Sequence, residues 1–440
     1  MAEQRVTVVG GGLAGSEAAW QIARRGVPVR LCEMRPARPT EVHRTGHLAE
    51  LVCSNSLKGI DTATAHGLLK EEMRRFGSLI LECADANRVP AGGALAVDRD
   101  RFAAAVTEKI EAEPLIELVR GEITEIPDDE YVVLAVGPLV SESLAASIAK
   151  FCGQDYLYFY DAIAPVVLAE SIDRSVVFSQ SRYDKGDGDD YLNCPMNEPE
   201  YEAFIDALLS AELAPLHEFD TTPYFEGCMP IEVMAQRGRE TPRFGPMKPV
   251  GLTDPRTQQR PWGVVQLRQD NLAAEHYSMV GFQTQLRWPE QKRVFRMIPG
   301  LENAEFVRLG QVHRNCYINA PTVLDPTLQT RSRNGLYFAG QISGVEGYTE
   351  SSATGLFAGI NVARQVAGED PLTLPRETML GALCHYISHA DPKGYQPTNA
   401  AFGLLPPAPK GVKKKRDRKI ARANRALETL DQWLGNEAIA

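Results

Sequence analysis

The sequence predicts an α/β fold whose central parallel sheet takes strands from both ends of the chain, and three observations support this. A β-branched run, residues 6–9, precedes three glycines and a helical segment, residues 13–25. A second apolar run, residues 27–34, follows as the second strand of a βαβ unit would. Two later apolar runs, residues 131–136 and 335–339, each end in a glycine turn. The pattern predicts a Rossmann-like domain that is split in the sequence.

The glycines after the first strand have the spacing of a dinucleotide-binding turn. In the G-x-G-x-x-G pattern the first glycine allows the tight turn, the second lets the backbone approach a pyrophosphate, and the third lets helix pack on strand. Glu33 follows at the distance where a carboxylate binds the ribose hydroxyls. We therefore predict dinucleotide contacts from Glu33 and from the turn residues Gly10, Gly11, Gly12, Leu13, Ala14 and Gly15.

The late glycine-rich segment favours FAD over NAD as this dinucleotide. Gly340 and Gln341 end an apolar run and lead into a helix rich in small residues, which begins near Tyr348. Small residues let the backbone approach a ligand closely. Gly340, Gln341 and Tyr348, which lie at the entry to this helix, are therefore predicted to contact the cofactor. No second G-x-G-x-x-G opens another nucleotide domain, so a nicotinamide reductant would have to reach the flavin directly.

Length and composition bound the class of protein. The 440 residues suggest two to three domains. No run of 18 apolar residues predicts a membrane span, and no signal peptide opens the chain, so a cytoplasmic location is expected. The eight scattered cysteines form no C-x-x-C pattern and no zinc spacing, so no metal site is predicted. The oligomeric state is not predicted.

The organisation along the chain follows from these runs and from a polar turn at residues 184–190. We predict a first part of the FAD-binding domain (1–183), an inserted α+β domain (184–305), a second part of the FAD-binding domain (306–370) and a C-terminal segment with a basic helix (371–440). Helices are predicted over residues 68–83, 99–113 and 416–434, and another is predicted to open within residues 195–213.

A basic segment stands out in an acidic chain. Residues 410–425 carry a net charge of +8, whereas the whole chain carries −10. A local basic cluster on an acidic protein suggests contact with a polyanion, and the alternative is a solvated helix face. The residues predicted to make the contact are Lys413, Lys414, Lys415 and Arg416.

Two cysteines differ from the others by their context. Cys53 lies among polar residues near Lys58, which could stabilise a thiolate, and Cys228 lies in a turn between glycine and proline. Basic residues follow Cys228 within 20 positions, together with Phe244, and such a mixture can bind phosphates and stack on bases. The alternatives are buried structural cysteines and a surface hairpin. The basic residues predicted to bind RNA here are Arg237, Arg239 and Lys248.

Taken together, these stretches resemble the folate- and FAD-dependent tRNA (uracil-5-)-methyltransferases. The resemblance covers about residues 5–405, and the segment around Cys228 is the specific part, whereas many flavoproteins share the first glycine-rich block. One departure is Cys316, where we expect a hydroxyl residue such as threonine; it adds a thiol with no evident role. The matching segments are residues 10–19, 51–58, 227–241, 243–252, 312–321 and 340–351.

The resemblance implies a mechanism and its partners. One thiolate adds to C6 of a uracil in the tRNA T-loop and activates C5. FAD, 5,10-methylenetetrahydrofolate and NADPH or NADH then provide the methyl group. The resemblance makes Cys228 the nucleophile and Cys53 the base or proton-handling partner, and the reverse assignment of the two roles stays open. The uracil must be unstacked to reach the flavin.

Other interpretations stay open at this point. A wobble-uridine-modifying flavoenzyme of the glucose-inhibited-division-protein-A type would share the FAD fold, but its chains are longer. A non-catalytic flavin-bearing RNA-binding protein would retain tRNA without forming a product, and the two cysteines argue against it. A small-molecule FAD oxidoreductase would leave the basic segment unexplained.

Overall fold

A computed structural model of the chain describes residues 4–40, 42–153, 157–215, 224, 229–409 and 411–437. Its strands are β1 (Val6–Val9), β2 (Val29–Glu33), β3 (Ser56–Gly59), β4 (Arg88–Val89), β5 (Ala94–Val97), β6 (Ile116–Arg120), β7 (Val132–Leu134), β8 (Leu157–Ala162), β9 (Val166–Leu168), β10 (Phe178–Ser179), β11 (Tyr191–Met196), β12 (Gly263–Gln269), β13 (His276–Met279), β14 (Phe306–Arg308), β15 (Val312–Tyr317) and β16 (Leu336–Phe338).

Helices contribute to the two large hydrophobic cores, and α13 ends the described part of the chain. The α-helices are α1 (Leu13–Ala23), α2 (Ala65–Arg75), α3 (Leu79–Ala86), α4 (Arg99–Ala112), α5 (Glu142–Cys152), α6 (Glu198–Leu209), α7 (Ile231–Arg237), α8 (Thr241–Phe244), α9 (Trp288–Phe295), α10 (Ala320–Val323), α11 (Tyr348–Val366), α12 (Met379–His389) and α13 (Lys415–Glu437). None of those described is long and apolar enough to cross a membrane.

A five-stranded parallel sheet forms the first layer, in the order β16-β7-β1-β2-β6. All four residues of β1 are buried, as expected for a central strand of a parallel sheet that is covered on both faces. Val8 pairs with Leu31 on one side and with Val133 on the other. The edge strand β16 comes from far along the chain and pairs with β7. The predicted α/β fold with a parallel sheet split in the sequence is therefore confirmed.

A second sheet of six antiparallel strands has its own core, in the order β10-β11-β12-β13-β9-β14. The rings of Phe204, Phe282 and Phe295 pack in series beneath it, with centroids 6.2 and 5.8 Å apart. Its strands extend from Val166 to Arg308, beyond both ends of the segment predicted as an inserted domain, 184–305. The exact domain boundaries stay a prediction.

The helices α1 and α11 pack against each other with their backbones in close contact. A Cβ atom on Gly355 would lie 2.1 Å from the carbonyl oxygen of Ala14, and one on Gly359 would lie 2.6 Å from that of Ala18. Only glycine fits at such distances. The contact places the start of α11 beside the glycine turn after β1.

One predicted helix, over residues 68–83, is wrong in extent because it contains a break. The structure ends α2 at Arg75 and begins α3 at Leu79. Gly77 between them has φ +70°, a left-handed conformation that ends a helix. Ser78 then caps α3, because its hydroxyl accepts a hydrogen bond from the N–H of Leu81. The Gly-Ser pair marks this helix break in the sequence, but the prediction missed it because the apolar periodicity continues across it.

We predict that Gly355→Ala destabilises the protein, because its methyl group would overlap the Ala14 carbonyl. Overpacking of this kind costs about 1–3 kcal/mol of unfolding free energy. The matched control is Gly435→Ala on α13, where nothing lies within 4 Å of the new Cβ atom, and this change should stabilise the helix by up to about 1 kcal/mol. Thermal denaturation of both variants checks this; equal melting temperatures would contradict it.

Candidate active site

A first cavity lies at the carboxyl ends of β1, β7 and β16, which is where parallel α/β sheets bind ligands. Most of the residues predicted to bind the cofactor line it, although they come from both ends of the chain. Two predicted residues, Gly11 and Gly15, do not line it and instead shape the turn. The predicted residues that line it are Gly10, Gly12, Leu13, Ala14, Glu33, Gly340, Gln341 and Tyr348.

The glycines of the turn have different structural roles. A Cβ atom on Gly15 would lie 1.7 Å from the Gly10 carbonyl oxygen, so this glycine allows helix and strand to pack. A Cβ atom on Gly12 would meet nothing within 4 Å, so packing does not require glycine there. Gly12 is the N-cap of α1, and no side chain caps that end. The open amides at the positive end of the helix suit a pyrophosphate.

Glu33 ends β2 and is held in a fixed position beside the turn. Its Oε2 accepts a hydrogen bond from the N–H of Gly11 (2.8 Å), and its Oε1 accepts from the backbone N–H and the Nε of Arg35 (both 2.9 Å). Burial would raise the pKa of Glu33, but Arg35 and the two backbone N–H donors lower it below the usual value. The carboxylate therefore stays ionised and able to accept hydrogen bonds from a ribose.

A second cavity adjoins the first and contains Cys53. It is lined by the loop after Leu51, by the start of α11 and by residues 278–281 at the end of β13. The residues common to both cavities are Val52, Pro138, Leu139, Gln341, Tyr348 and Ser351. A ligand that fills the first cavity would thus present one end to whatever occupies the second.

Tyr348 joins the two cavities and contacts Cys53 directly. Its hydroxyl oxygen accepts hydrogen bonds from the N–H groups of Cys53 (2.8 Å) and Ser54 (3.2 Å) and lies 2.9 Å from the Cys53 Sγ. Burial raises the pKa of Tyr348 well above its ordinary value, so the phenol keeps its proton. Because its oxygen already accepts from two N–H groups, the Tyr348 hydroxyl can donate its own hydrogen to the Cys53 sulfur.

Two half-buried arginines fix the loop that carries Cys53. Arg308 donates from Nη1 to the Val52 carbonyl (2.8 Å), and Arg99 donates from Nη1 to the carbonyls of Leu51 (3.3 Å) and Val52 (3.4 Å). Arg99 also forms an ion pair with Asp270, with 2.9 Å between Nη2 and Oδ1. Burial lowers the pKa of Arg308 to about 10, which still leaves it charged at neutral pH. Sequence analysis missed both arginines, because they are far from Cys53 in sequence and follow no motif.

A third arginine, on β12, holds the other side of the same loop. Arg268 is buried and donates from Nε to the Asn55 side-chain oxygen (2.8 Å) and from Nη2 to the Ser54 hydroxyl (2.9 Å). The second sheet thus contributes directly to the position of Cys53. This contact also escaped sequence analysis, since nothing in the sequence around Arg268 indicates its partner.

Cys228, the other predicted catalytic residue, lies outside the described residues. The described chain resumes at Met229, and the N–H of Ile231 donates to the carbonyl of Gln283 (2.8 Å). Gln283 lines the second cavity. Cys316 is buried in β15, where its thiol donates to the Pro138 carbonyl (3.3 Å), so it has a structural contact.

The residues predicted to bind tRNA lie on two separate surfaces. Arg239 pairs with Glu202 and Asp206, whereas Arg237 is exposed at the end of α7 and Lys248 is half-buried. Phe244 nearby is 80% exposed. The second surface, at the start of α13, consists of the exposed residues Lys413, Lys414, Lys415 and Arg416.

The helix α13 is held against the first layer by side-chain contacts along its length. Arg75 donates to Asp431 (2.6 Å), and the rings of Phe76 and Trp433 meet edge to face. Arg422 donates to the Phe402 carbonyl (2.8 Å). The basic start of the helix therefore has a defined position on the protein, as a binding surface requires.

We predict that Tyr348→Phe slows alkylation of Cys53 by iodoacetamide at neutral pH. The variant lacks the hydroxyl that stabilises a thiolate, and hydrogen bonds to charged groups are worth about 1.5–3 kcal/mol, so the rate should fall about tenfold. Peptide-resolved mass spectrometry measures the rate at Cys53 alone. The control is Tyr337→Phe, whose buried hydroxyl has no hydrogen-bond partner among the described residues. Equal rates in both variants would contradict the assignment.

Comparison with known proteins identifies relatives over the whole chain. The family model described as glucose inhibited division protein A matches residues 5–370. A methylenetetrahydrofolate–tRNA-(uracil-5-)-methyltransferase TrmFO from Heliobacterium modesticaldum is 60% identical over 434 residues, 99% of each chain. The protein of the same name from Geobacter sulfurreducens is 60% identical over 429 residues, 98% of each chain.

Solved structures agree on the fold. The structure of Aquifex aeolicus GidA in the form I crystal superposes with a TM-score of 0.72 at 19% sequence identity, covering 99% of this chain and 76% of that one. The form II crystal gives a TM-score of 0.69 at 18% identity, covering 98% of this chain and 74% of that one. These likenesses show the fold. The 60% identity to the TrmFO relatives over nearly the full length, against 18–19% to the GidA structures, decides between the two kinds of protein. The chain therefore belongs to the methylenetetrahydrofolate–tRNA-(uracil-5-)-methyltransferase TrmFO family, within the wider group that the glucose inhibited division protein A model describes.

Proposed function

We propose that this protein methylates C5 of the T-loop uracil (position 54) in tRNA, using FAD and 5,10-methylenetetrahydrofolate, with NADPH or NADH as reductant. The observation that carries the proposal is the junction of two cavities at Tyr348, with Cys53 on the side away from the dinucleotide turn. The TrmFO relatives, whose names state a tRNA uracil substrate and this one-carbon donor, support it over nearly the whole chain.

The first cavity fits FAD on the chemistry of its lining. The uncapped N-terminus of α1 would face the pyrophosphate, Glu33 would accept the ribose hydroxyls, and Gln341 and Tyr348 would meet the flavin ring. Once reduced, bound FAD would supply the electrons and carry the one-carbon unit from the folate to the uracil. The nicotinamide reaches it from solvent. The proposed location is cytoplasmic, where tRNA and these cosubstrates occur.

The chain itself supplies the two thiols. The Cys228 thiolate adds to C6 of the uracil; the Sγ–C6 bond forms, and the C5=C6 electron pair moves to C5 and O4. After C5 has taken the one-carbon unit, Cys53 removes the C5 proton, and the bond from that unit to its carrier breaks to leave a methylene group on C5. A hydride, which reduced flavin would supply, turns this methylene into the methyl group, and the C5=C6 double bond re-forms as the Sγ–C6 bond breaks. The Ile231–Gln283 hydrogen bond holds the segment that follows Cys228 in sequence beside a residue of the second cavity, which supports this assignment.

Two surfaces are proposed to bind tRNA. The first is the exposed basic cluster Lys413, Lys414, Lys415 and Arg416, which lies before and at the start of α13 and provides a phosphate anchor. The second lies near the end of the segment that carries Cys228. It consists of Arg237, Arg239 and Lys248, together with the exposed ring of Phe244.

We predict that the purified protein contains FAD, which gives it a flavin absorption band. Gly12→Asp should abolish cofactor binding, because its carboxylate would stand beside the pyrophosphate at the start of α1. Gly435→Asp on α13 is the control and should retain FAD, since Gly435 does not line the first cavity and nothing lies within 4 Å of its new Cβ atom. Folded wild-type protein that stays colourless after incubation with FAD would contradict this.

We predict that incubation with methylenetetrahydrofolate and NADPH places a methyl group on the T-loop uracil of a tRNA transcript. Cys53→Ala and Cys228→Ala should each abolish transfer while FAD stays bound, because the described lining of the first cavity includes neither residue. Mass spectrometry of RNase fragments locates the methyl group. A product at the wobble position instead would favour the wobble-uridine alternative, and full turnover in both variants would make the cysteines structural.

We predict that tRNA affinity falls steeply with salt, and that replacing Lys413, Lys414, Lys415 and Arg416 by methionine makes the dependence shallower. Each phosphate that the variant no longer neutralises should reduce the log–log slope by about 0.7 to 0.9. Filter binding at several salt concentrations measures the slope, while reduction of the flavin by NADPH alone should not change. An unchanged slope would shift the RNA contact to Arg237, Arg239 and Lys248.

A further inference from the structure

The second cavity contains a buried carboxylate that the proposed chemistry does not yet use. Glu350, on the first turn of α11, is fully buried and lines this cavity. Its Oε1 lies 3.0 Å from His66 Nδ1 and accepts a hydrogen bond from the Ala400 N–H (2.9 Å). Its Oε2 has no hydrogen-bond partner among the described residues. Buried polar atoms are seldom left unpaired, so we expect this oxygen to accept a hydrogen bond from a ligand.

Glu350 is ionised despite its burial. Burial alone would raise its pKa, but Lys58, His66 and the Ala400 N–H lower the pKa to about 2. The unpaired Oε2 is therefore a hydrogen-bond acceptor at every physiological pH. A ligand that satisfies it must present an N–H or O–H group.

A cationic donor lies next to this acceptor. Lys58 also lines the cavity, and its Nζ and the Glu350 Oε2 both face Gly347. A Cβ atom on Gly347 would lie 2.4 Å from Oε2 and 3.3 Å from Nζ, and the glycine has φ +115°. The missing side chain leaves room between the two charged atoms, so one donor and one acceptor stand side by side at the cavity wall.

We propose that Glu350 and Lys58 together bind a cyclic lactam edge, in which an N–H adjoins a C=O group. Glu350 Oε2 accepts from the ring N–H, and Lys58 Nζ donates to the neighbouring carbonyl oxygen. This inference rests on the proposed function, whose two substrates both carry such an edge: the target uracil and the pterin ring of the folate, each with N3–H beside C4=O.

The pairing has a consequence for specificity in either case. Cytosine has no proton on N3 and an amino group in place of O4, so it would leave Glu350 without a donor and Lys58 without an acceptor. Sites built on buried hydrogen bonds reject ligands that lack the matching groups. If the ligand is uracil, the Lys58 ammonium group also faces O4, where negative charge develops when a thiolate adds to C6.

Two binding measurements on the FAD-loaded protein test the proposal. One is the Kd for tetrahydrofolate, followed by the flavin spectrum. The other is covalent capture of a T-loop RNA containing 5-fluorouracil, without folate. The cavity variants are Glu350→Gln and Lys58→Met. The control is Glu72→Gln, a buried carboxylate that accepts from the N–H groups of Met379 and Leu380 and lines neither cavity.

We expect Glu350→Gln and Lys58→Met to weaken either tetrahydrofolate binding or RNA capture by about tenfold or more, and both variants to affect the same one of the two. The control should keep both. Loss of tetrahydrofolate binding alone identifies the pterin, and loss of RNA capture alone identifies the uracil. The proposal is overturned if both variants stay within about twofold of wild type, or if both activities fall together in both. If Glu350→Gln does not fold, the result for Lys58→Met alone tests the proposal. Wild-type protein that shows neither activity would instead refute the proposed function.

Discussion

The close contact between α1 and α11 is the constraint on which the rest of the site depends. Gly355 and Gly359 allow α11 to lie against the backbone of α1, so segments from opposite ends of the chain meet at one cavity. Without this contact the glycine turn after β1 would have no partner surface for the far end of a dinucleotide. The parallel sheet likewise combines strands from both ends of the chain, in the order β16-β7-β1.

The same helix links the first cavity to Cys53. Tyr348, its first residue, lines both cavities and holds the Cys53 backbone and sulfur through a single hydroxyl. Glu350, two residues later, faces the second cavity. Three arginines from distant elements fix the Cys53 loop from the other side. The thiol is thus positioned by the fold as a whole, through residues that are distant in sequence.

The sequence predicts those parts of the site that depend on local geometry. The glycine turn and Glu33 follow from spacing within one βαβ unit, and Gly340 follows from its strand and turn. Contacts such as Arg308 with Val52 join residues far apart in the chain, and no periodicity or motif encodes them. The break between α2 and α3 escapes prediction for the opposite reason, since the apolar pattern continues through a local Gly-Ser stop.

The central claim is that the flavin ring meets the thiol chemistry where the two cavities join. A crystal structure of the FAD-loaded protein tests it most directly. The account predicts the pyrophosphate at the start of α1 and the isoalloxazine ring against Gln341 and Tyr348, with one face open to the cavity that holds Cys53. A ring that lies outside the first cavity, or that is separated from Cys53 by protein, would contradict the account.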